Sequence, residues 1–222
     1  MNRRLIILGL IILISTIILR FLYLGLKNIK IDAFKTAAVI FVVDSSASNQ
    51  KKLPEQKRYI KQLCAILDPE DQIKIIKVSQ DAYLIYEGSP ANTSDITKSM
   101  EAFTKYNSSE NGTAYGIGLK KALSHCLTMK KDGYVPSVIV VGDLANEGTA
   151  SGQINWNTLP KNIEEIQKYA PDLSMMFLFA HPSKLDLVKE KLNPVLGEKR
   201  LIVAPEENVD KTPRKFLQAI GR

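Results

Sequence analysis

The feature that most limits the fold of this chain is an uninterrupted apolar run that ends in a cluster of oxygen-bearing side chains. Residues 38–43 read Ala-Val-Ile-Phe-Val-Val, and residues 44–49 read Asp-Ser-Ser-Ala-Ser-Asn. Because the run shows no polar alternation, it predicts a strand that is buried on both faces. The polar cluster follows the carboxyl end of that strand, where an open α/β sheet places its ligand site.

The polar cluster has the spacing Asp-x-Ser-x-Ser, formed by Asp44, Ser46 and Ser48. Alternate side chains of an extended or turning backbone point the same way, so these three oxygen donors are expected to converge. Magnesium prefers oxygen ligands at ~2.1 Å in an octahedral arrangement. The spacing therefore indicates a site for a hard divalent cation, and a simple turn or helix cap is the alternative interpretation.

Apolar runs and helical patterns alternate along the rest of the chain. Strands are predicted at residues 37–43, 72–78, 82–87, 137–141, 173–180 and 200–203, and helices at 54–67, 94–105, 114–129, 162–169, 182–192 and 212–220. The tight turn after residue 78 makes the second and third strands antiparallel. The pattern predicts an α/β fold with a doubly wound, mostly parallel six-stranded sheet, one antiparallel edge strand and helices on both faces.

The amino-terminal part of the chain predicts a membrane anchor. Residues 5–26 are almost all apolar, and as a helix they would span about 33 Å, enough for the core of a bilayer. A cleaved signal peptide with Arg3 and Arg4 as its basic region is the alternative, but no small-residue cleavage site follows the long apolar run. We expect a single transmembrane helix within residues 1–27, a linker at 28–36 and a soluble domain at 37–222.

The charge distribution agrees with this division. The chain carries a net charge of +7, and residues 1–30 hold five basic side chains and no acid, which leaves +2 for the remainder. A basic excess beside an apolar segment is typical of membrane flanks, so we expect no nucleic-acid binding. Basic residues lie on both sides of the segment, and the short basic amino terminus favours a soluble domain on the non-cytoplasmic side of the membrane.

The remaining reactive side chains do not form a catalytic set. Cys64 and Cys126 lie within helical patterns and are expected to be buried free thiols rather than a disulfide. His125 and His181 have no spaced partner for zinc or for a nucleophile. The glycines of residues 112–118 lack the lysine of a phosphate loop and the spacing of a dinucleotide fold. We therefore expect neither enzyme activity nor a small-molecule substrate.

Two further loops carry oxygen donors that the predicted sheet would bring towards Asp44. Thr113 follows Gly112 at the start of a helix, and Asp143 follows an apolar strand. Carboxyl ends of parallel strands lie at one edge of a sheet, so the three loops can converge. Two carboxylates and three hydroxyls would bind a divalent cation and leave positions for water or an external ligand. The alternatives are a helix cap for Thr113 and a loop acid for Asp143.

With these motifs, residues 36–221 resemble a von Willebrand factor type A domain, the fold shared with integrin inserted domains. The resemblance rests on the Asp-x-Ser-x-Ser run, the Asn111-Gly112-Thr113 loop, the strand end at Asp143 and the order of strands and helices. It implies the family's metal-ion-dependent adhesion site, with Mg²⁺, or Mn²⁺ or Ca²⁺, as the ion. In that family, a carboxylate from a partner protein often completes the coordination of the ion.

The resemblance also implies a role for each candidate ligand. Ser46 and Ser48 would bind the ion directly, whereas Thr113, Asp44 and Asp143 would bind it directly or through water.

The third loop departs from the family pattern. Leu144 follows Asp143, where the family commonly has a glycine. Glu147 is a second candidate acid in the same loop.

The motifs and the apolar segment together predict a membrane-anchored, divalent-metal-dependent protein-binding module for adhesion or assembly. Two alternatives stay open. The first is a magnesium-dependent phosphoryl-transfer enzyme with Asp44 as nucleophile, against which Ser46 stands where haloacid-dehalogenase-like hydrolases need a second acid. The second is a structural assembly subunit whose metal site is not essential.

Overall fold

The structure is a computed structural model that describes residues 35–103, 112–144 and 152–222. Lys35–Arg222 form one compact unit. The apolar segment at residues 5–26 lies outside the described residues, so the anchor stays a prediction. Within the residues that are described, no helix is long and apolar enough to cross a bilayer.

Six strands of the described residues, β1 to β6 in chain order, form one sheet. They span Ala37–Asp44, Gln72–Val78, Ala82–Gly88, Val135–Val141, Ser174–Leu178 and Leu201–Ala204. Their order across the sheet is β3-β2-β1-β4-β5-β6, in which β2 and β3 are antiparallel and all other neighbours are parallel. The predicted six-stranded mixed sheet with one antiparallel edge is therefore confirmed.

Six α-helices of the described residues, α1 to α6, cover the sheet. They span Leu53–Ala65, Thr93–Glu101, Tyr115–Lys131, Leu159–Gln167, Pro182–Leu196 and Thr212–Ala219. Apolar side chains of α3, α4 and α5 pack in one core, and those of α1, α2 and α6 pack in the other. The helices thus lie on both faces of the sheet, as the alternation of strands and helices predicted.

β1 lies in the middle of the sheet and contributes side chains to both cores. Ile40 and Val42 pack in the core of α3, α4 and α5, whereas Phe41 and Val43 pack in the other core. All four are fully buried. Burial of each such side chain contributes roughly 1.5–3 kcal/mol. This burial on two faces explains why the sequence of β1 has no polar alternation.

α3 packs unusually close to the central strands because of Gly118. A Cβ atom at Gly118 would lie 2.6 Å from Cγ2 of Val78 in β2 and 2.9 Å from Cγ1 of Val42 in β1. The absence of a side chain therefore lets the helix backbone approach the sheet. The start of α3 is consequently held beside the carboxyl end of β1.

The strand order places a crevice at the carboxyl ends of β1 and β4. The chain leaves β1 towards α1 on one face of the sheet and leaves β4 towards α4 on the other face. Such a reversal leaves an open crevice between the two strand ends, and ligands of α/β sheets bind there. Asp44 ends β1, and Asp143 lies two residues past the end of β4.

Candidate metal centre

Asp44 is the residue on which the first two loops converge. Its side chain is fully buried. Oδ1 accepts hydrogen bonds from the backbone N–H of Ser46, at 2.8 Å, and from the hydroxyl of Thr113, at 3.3 Å. The Ser46 side chain also hydrogen-bonds to the Asp44 carboxylate. The structure therefore brings together three of the five predicted ligands around one carboxylate.

The first loop is fixed by hydrogen bonds to the elements on either side of it. The backbone N–H and hydroxyl of Ser45 donate to the carbonyl of Val78 at the end of β2, at 2.8 and 3.0 Å. Asn49 donates to the carbonyl of Asp44, at 2.7 Å, and exchanges two hydrogen bonds with Gln56 of α1. Asn49 and Gln56 are fully buried. Because buried amides are costly to leave unpaired, this pair holds the loop rigidly.

Ser48 lies within the 3₁₀ helix Ala47–Asn49 that follows Ser46. Its side chain falls outside the described part of the structure. The position of its hydroxyl relative to Asp44 therefore stays a prediction.

The second loop reaches Asp44 through Thr113, which is buried. The N–H of Ala114 donates a 2.6 Å hydrogen bond to the carbonyl of Ser79, just past β2. The N–H of Gly116 donates to the carbonyl of Gly152 at 2.8 Å, and a Cβ atom at Gly116 would overlap the carbonyl oxygen of Gln153. These contacts place the start of α3, and with it the Thr113 hydroxyl, above the end of β1.

The third loop brings Asp143 to the same edge of the sheet. A Cβ atom at Gly142, the residue before Asp143, would lie 2.6 Å from Cβ of Asp44, and the negative charge of Asp143 contributes to the raised pKa of Asp44. The Asp143 carbonyl accepts a 3.1 Å hydrogen bond from the N–H of His181, which ends the loop between β5 and α5. Asp143 is half-buried and can face both the crevice and an external ligand.

Leu144 stands where the family commonly has a glycine, and its backbone has a conformation that favours glycine. Its φ angle is +61°, a left-handed conformation that glycine adopts without cost and other residues adopt at about 1–2 kcal/mol. The Leu144 side chain is buried, and this burial offsets the backbone strain. The departure from the pattern thus leaves the course of the loop at Asp143 unchanged. Glu147, the second candidate acid, lies outside the described residues.

Tyr115 joins all three loops and was not identified from the sequence. Its hydroxyl donates to Oδ2 of Asp44 at 2.8 Å and accepts a 3.3 Å hydrogen bond from the N–H of Leu144. Gly142 makes room for it, because a Cβ atom at Gly142 would overlap the Tyr115 hydroxyl. In the sequence, an aromatic residue in the first turn of a helix indicates only a core position. Its polar role depends on contacts that the sequence pattern does not contain.

Comparisons with known proteins agree with this geometry. Residues 39–146 match the family model of the von Willebrand factor type A domain, and this range contains all three loops. The search of curated proteins found no match to the chain.

Solved structures superpose on most of the chain. An aerotolerance-related membrane protein from Bacteroides fragilis, carrying multiple mutations to serine, is 15% identical with a TM-score of 0.56, and the match covers 83% of this chain and 98% of that one. The pilus adhesin SpaC from Lactobacillus rhamnosus GG is 13% identical with a TM-score of 0.60, and the match covers 85% of this chain and 30% of the adhesin. The fold is that of a von Willebrand factor type A domain.

A third superposition concerns the metal site of such domains. Proximal thread matrix protein 1 from the mussel byssus, with a zinc-occupied metal-ion-dependent adhesion site, is 14% identical with a TM-score of 0.55. The match covers 81% of this chain and 46% of the mussel chain. At this identity, the likeness establishes the type A fold and not the ligands of this chain.

The electrostatics of the site suit a cation beside Asp44. Burial raises the pKa of the Asp44 carboxyl above its usual value and the charge of Asp143 raises it further, whereas hydrogen bonds from Ser46 and Tyr115 lower it. Burial and the two carboxylates raise the pKa of Tyr115 well above its usual value, so the phenol stays protonated and donates. A positive ion between two neighbouring carboxylates would stabilise both.

The donor chemistry fits a hard divalent cation. The hydroxyls of Ser46 and Thr113 and the carboxylates of Asp44 and Asp143 offer only oxygen atoms, which Mg²⁺, Mn²⁺ and Ca²⁺ prefer. Among the described residues, no group of three His, Cys, Asp or Glu side chains could hold a metal ion. The nitrogen and sulfur ligands of a structural zinc site are therefore not assembled in that part of the chain.

Proposed function

We propose that this protein is a membrane-anchored, divalent-cation-dependent protein-binding module. The convergence of Ser46 and Thr113 on the buried carboxylate of Asp44 carries the proposal. The hydroxyls of Ser46, Ser48 and Thr113 would hold the ion, with Asp44 and Asp143 supplying negative charge directly or through water. The bound ion would supply a positive centre that attracts a carboxylate of the partner protein.

The surroundings of the site support docking rather than chemistry on a small molecule. The three loops are fastened to β2, α1 and the loop after β5, so the donors are held in place before a partner arrives. Preorganisation of this kind lowers the entropy cost of binding. A pilus adhesin and a byssus matrix protein with the same fold support an adhesion or assembly role by likeness.

The proposal includes the amino-terminal membrane anchor that the sequence predicts. The apolar segment at residues 5–26 would span the bilayer, and the linker at 28–36 would hold the domain a few residues from its surface. A membrane protein is among the structures with the same fold. We place the domain on the non-cytoplasmic side, following the short basic amino terminus.

The hydrogen bonds of Asp44 weigh against the phosphoryl-transfer alternative. Oδ1 accepts from Ser46 and Thr113, and Oδ2 accepts from Tyr115. An attacking carboxylate oxygen must approach phosphorus in line, and these three contacts restrict how far the Asp44 carboxylate can turn to do so. The arrangement suits a carboxylate that holds its neighbours in place.

Calorimetric titration of the full-length chain in detergent micelles with magnesium chloride tests the metal site. We expect saturable binding that Ser46→Ala and Thr113→Val weaken at least about tenfold, since each variant loses an oxygen donor of the site. Ser94→Ala is the matched control, because Ser94 is exposed on α2, away from the crevice. Absence of magnesium binding, or equal binding by Ser46→Ala, contradicts the proposal.

A second measurement separates docking through the ion from an assembly role that does not need it. The tagged full-length protein is captured from solubilised membranes with magnesium and with chelator. Partners that remain bound in chelator, and in Ser46→Ala, would assign the chain to the structural alternative.

A further inference from the structure

We propose that the free edge of β6 binds an extended acidic segment of a partner protein, which adds a strand to the sheet. β6 is the outer strand beside β5, on the side of the sheet opposite β3. Edge strands present unpaired backbone groups and pair readily with another extended chain. This surface is separate from the metal centre, which lies at the carboxyl ends of β1 and β4.

The backbone of β6 has groups available for such pairing. The N–H of Met175 in β5 donates a 2.8 Å hydrogen bond to the carbonyl of Arg200. In a parallel ladder, alternate residues direct both backbone groups to the same neighbour. Arg200 and Ile202 therefore face β5, whereas Leu201 and Val203 direct their backbone groups outwards. The N–H of Leu201 donates to the carbonyl of Gly197. Within residues 35–103, 112–144 and 152–222, the outward carbonyl of Leu201 and both backbone groups of Val203 are left for a partner strand.

A groove lies at this edge of the sheet. It has a volume of about 860 Å³ and lies between α5 and α6, with Leu201 and Val203 of β6 in its floor. This volume is within the range of about 300–1,000 Å³ typical of ligand sites. Leu201 is buried and Val203 is half-buried, so the floor offers apolar contacts next to the free backbone groups.

The positive charge around the groove favours an acidic occupant. Lys189 of α5, Lys215 of α6 and Lys199 before β6 line it, together with a single acid, Glu198. All three lysines are exposed, and none forms an ion pair with an acidic residue of the described chain. Carboxylates on alternate residues of an added strand would point to one face of the sheet, where they could meet the ammonium group of Lys189 on the α5 side or that of Lys215 on the α6 side.

The same charge argues against a second copy of this chain as the occupant. Pairing β6 of one copy with β6 of another would bring two sets of three lysines together. Like charges at an edge oppose pairing, and natural sheets use lysines to prevent it. A partner strand rich in Glu or Asp converts this repulsion into attraction.

Fluorescence anisotropy with a labelled octapeptide of alternating valine and glutamate tests the proposal. The full-length chain is used in detergent micelles with chelator present, so that the metal centre does not contribute. We expect saturable binding, and no binding of the matching valine–lysine octapeptide. A valine–glutamate peptide that is N-methylated at every residue has no N–H donor on either edge, so it cannot form a ladder with β6 and should also fail to bind.

Two variants of the chain sharpen the test. A triple variant should weaken binding of the acidic peptide by at least about tenfold. It combines Lys189→Glu, Lys199→Glu and Lys215→Glu. The matched control combines Lys61→Glu, Lys131→Glu and Lys161→Glu, which change the net charge equally at exposed positions elsewhere.

Val203→Pro removes the outward N–H and leaves the pairing of β6 with β5 intact, because proline is tolerated on an edge strand at that position. It should abolish peptide binding while the thermal midpoint stays close to that of the parent. If Val203→Pro fails to fold, the two sets of lysine variants decide the question.

Several outcomes overturn the proposal. These are absence of saturable binding, equal binding of the N-methylated peptide, and equal weakening by the control lysine set. Concentration-dependent dimers in sedimentation that Val203→Pro abolishes would assign the edge to a second copy of the chain instead. Because chelator is present throughout, failure here leaves the metal-dependent function untouched, and the reverse also holds.

Discussion

The Tyr115 hydroxyl donates a 2.8 Å hydrogen bond to Oδ2 of Asp44 from a helix that starts 71 residues later in the chain. This contact fixes the carboxylate plane, so that Oδ1 faces the hydroxyl of Thr113 and the N–H of Ser46. Tyr115 thus acts as a positioning residue. It orients a proposed metal ligand and leaves the ion to the other donors.

Tyr115→Phe should weaken magnesium binding by about three- to tenfold, because Asp44 loses the contact that sets its orientation. The free energy of unfolding should fall by about 1–2 kcal/mol, since a buried acceptor loses its donor. Titration calorimetry and chemical denaturation measure the two effects. Tyr169→Phe is the control, as Tyr169 is 71% exposed and should change neither quantity. Unchanged magnesium affinity in Tyr115→Phe would remove the positioning role.

Gly142→Ala should destabilise the domain by about 2–3 kcal/mol through overpacking. The added methyl group would overlap the Tyr115 hydroxyl and lie 2.6 Å from Cβ of Asp44. Gly197→Ala is the comparison, because Gly197 has φ +73° but nothing within 4 Å of an added Cβ. It should cost only the backbone strain, about 1 kcal/mol.

A double variant shows whether the loss of stability in Gly142→Ala comes from the steric clash with Tyr115 or from the backbone. Gly142→Ala combined with Tyr115→Phe removes the hydroxyl that the methyl group meets. Denaturation curves should therefore show a smaller cost of Gly142→Ala in the Phe background, by about 1 kcal/mol. Additive costs would show that the clash with Tyr115 is not the cause.

At position 144, glycine should destabilise the domain less than alanine does, which is the reverse of the usual order. Both Leu144→Ala and Leu144→Gly lose a buried side chain, at about 2–5 kcal/mol. Because φ is +61° at this position, glycine avoids strain that alanine keeps, so Leu144→Gly should be the more stable of the two by about 1 kcal/mol. Leu192, buried within α5, should show the opposite order in the same denaturation assay. The same order at both positions would contradict a strained Leu144.

The two cysteines provide a pH-dependent test of the core. Cys64 and Cys126 are free and buried, as predicted, and burial raises the pKa of each thiol to about 12. Above pH 9.0, the ordinary value, thiols of the unfolded chain ionise while those of the folded chain stay protonated, so stability falls as pH rises. The expected fall at pH 10 is about 1 kcal/mol per thiol.

Chemical denaturation between pH 8 and pH 10 measures this fall, and iodoacetamide labelling follows thiol exposure. In the Cys64→Ala, Cys126→Ala double variant, the free energy of unfolding should fall by about 2 kcal/mol less between pH 8 and pH 10 than in the parent. The contribution of the other titrating groups should stay the same. Rapid labelling of the folded chain at pH 8 would be inconsistent with buried thiols.

Prolines show where sequence patterns misplace an element. The sequence predicts an apolar strand from residue 137, but β4 starts at Val135 and includes Pro136. The Val135 N–H donates to the carbonyl of Thr36 on the β1 side, so the Pro136 nitrogen faces the β5 side. There the ladder with β5 begins only at Ser137, and no hydrogen bond is lost.

Pro194 lies in a helix whose end the sequence also misplaces. The sequence predicts a helix at residues 182–192, and proline disfavours a helical interior in general. In the structure α5 continues through Pro194 to Leu196. Burial of Leu192 and Leu196 against the sheet outweighs the local preference.

The sequence by itself determined the fold class and the three loops of the candidate site. Apolar runs without alternation define strands that are buried on both faces, and polar residues just past them lie at one edge of a parallel sheet. These are local patterns and need no knowledge of packing. Only the tertiary structure decided that Tyr115 holds Asp44, that Gly142 makes room for it and that Leu144 is strained. These contacts depend on how close α3 approaches β1 and β4, which residues distant in the chain set together through their packing.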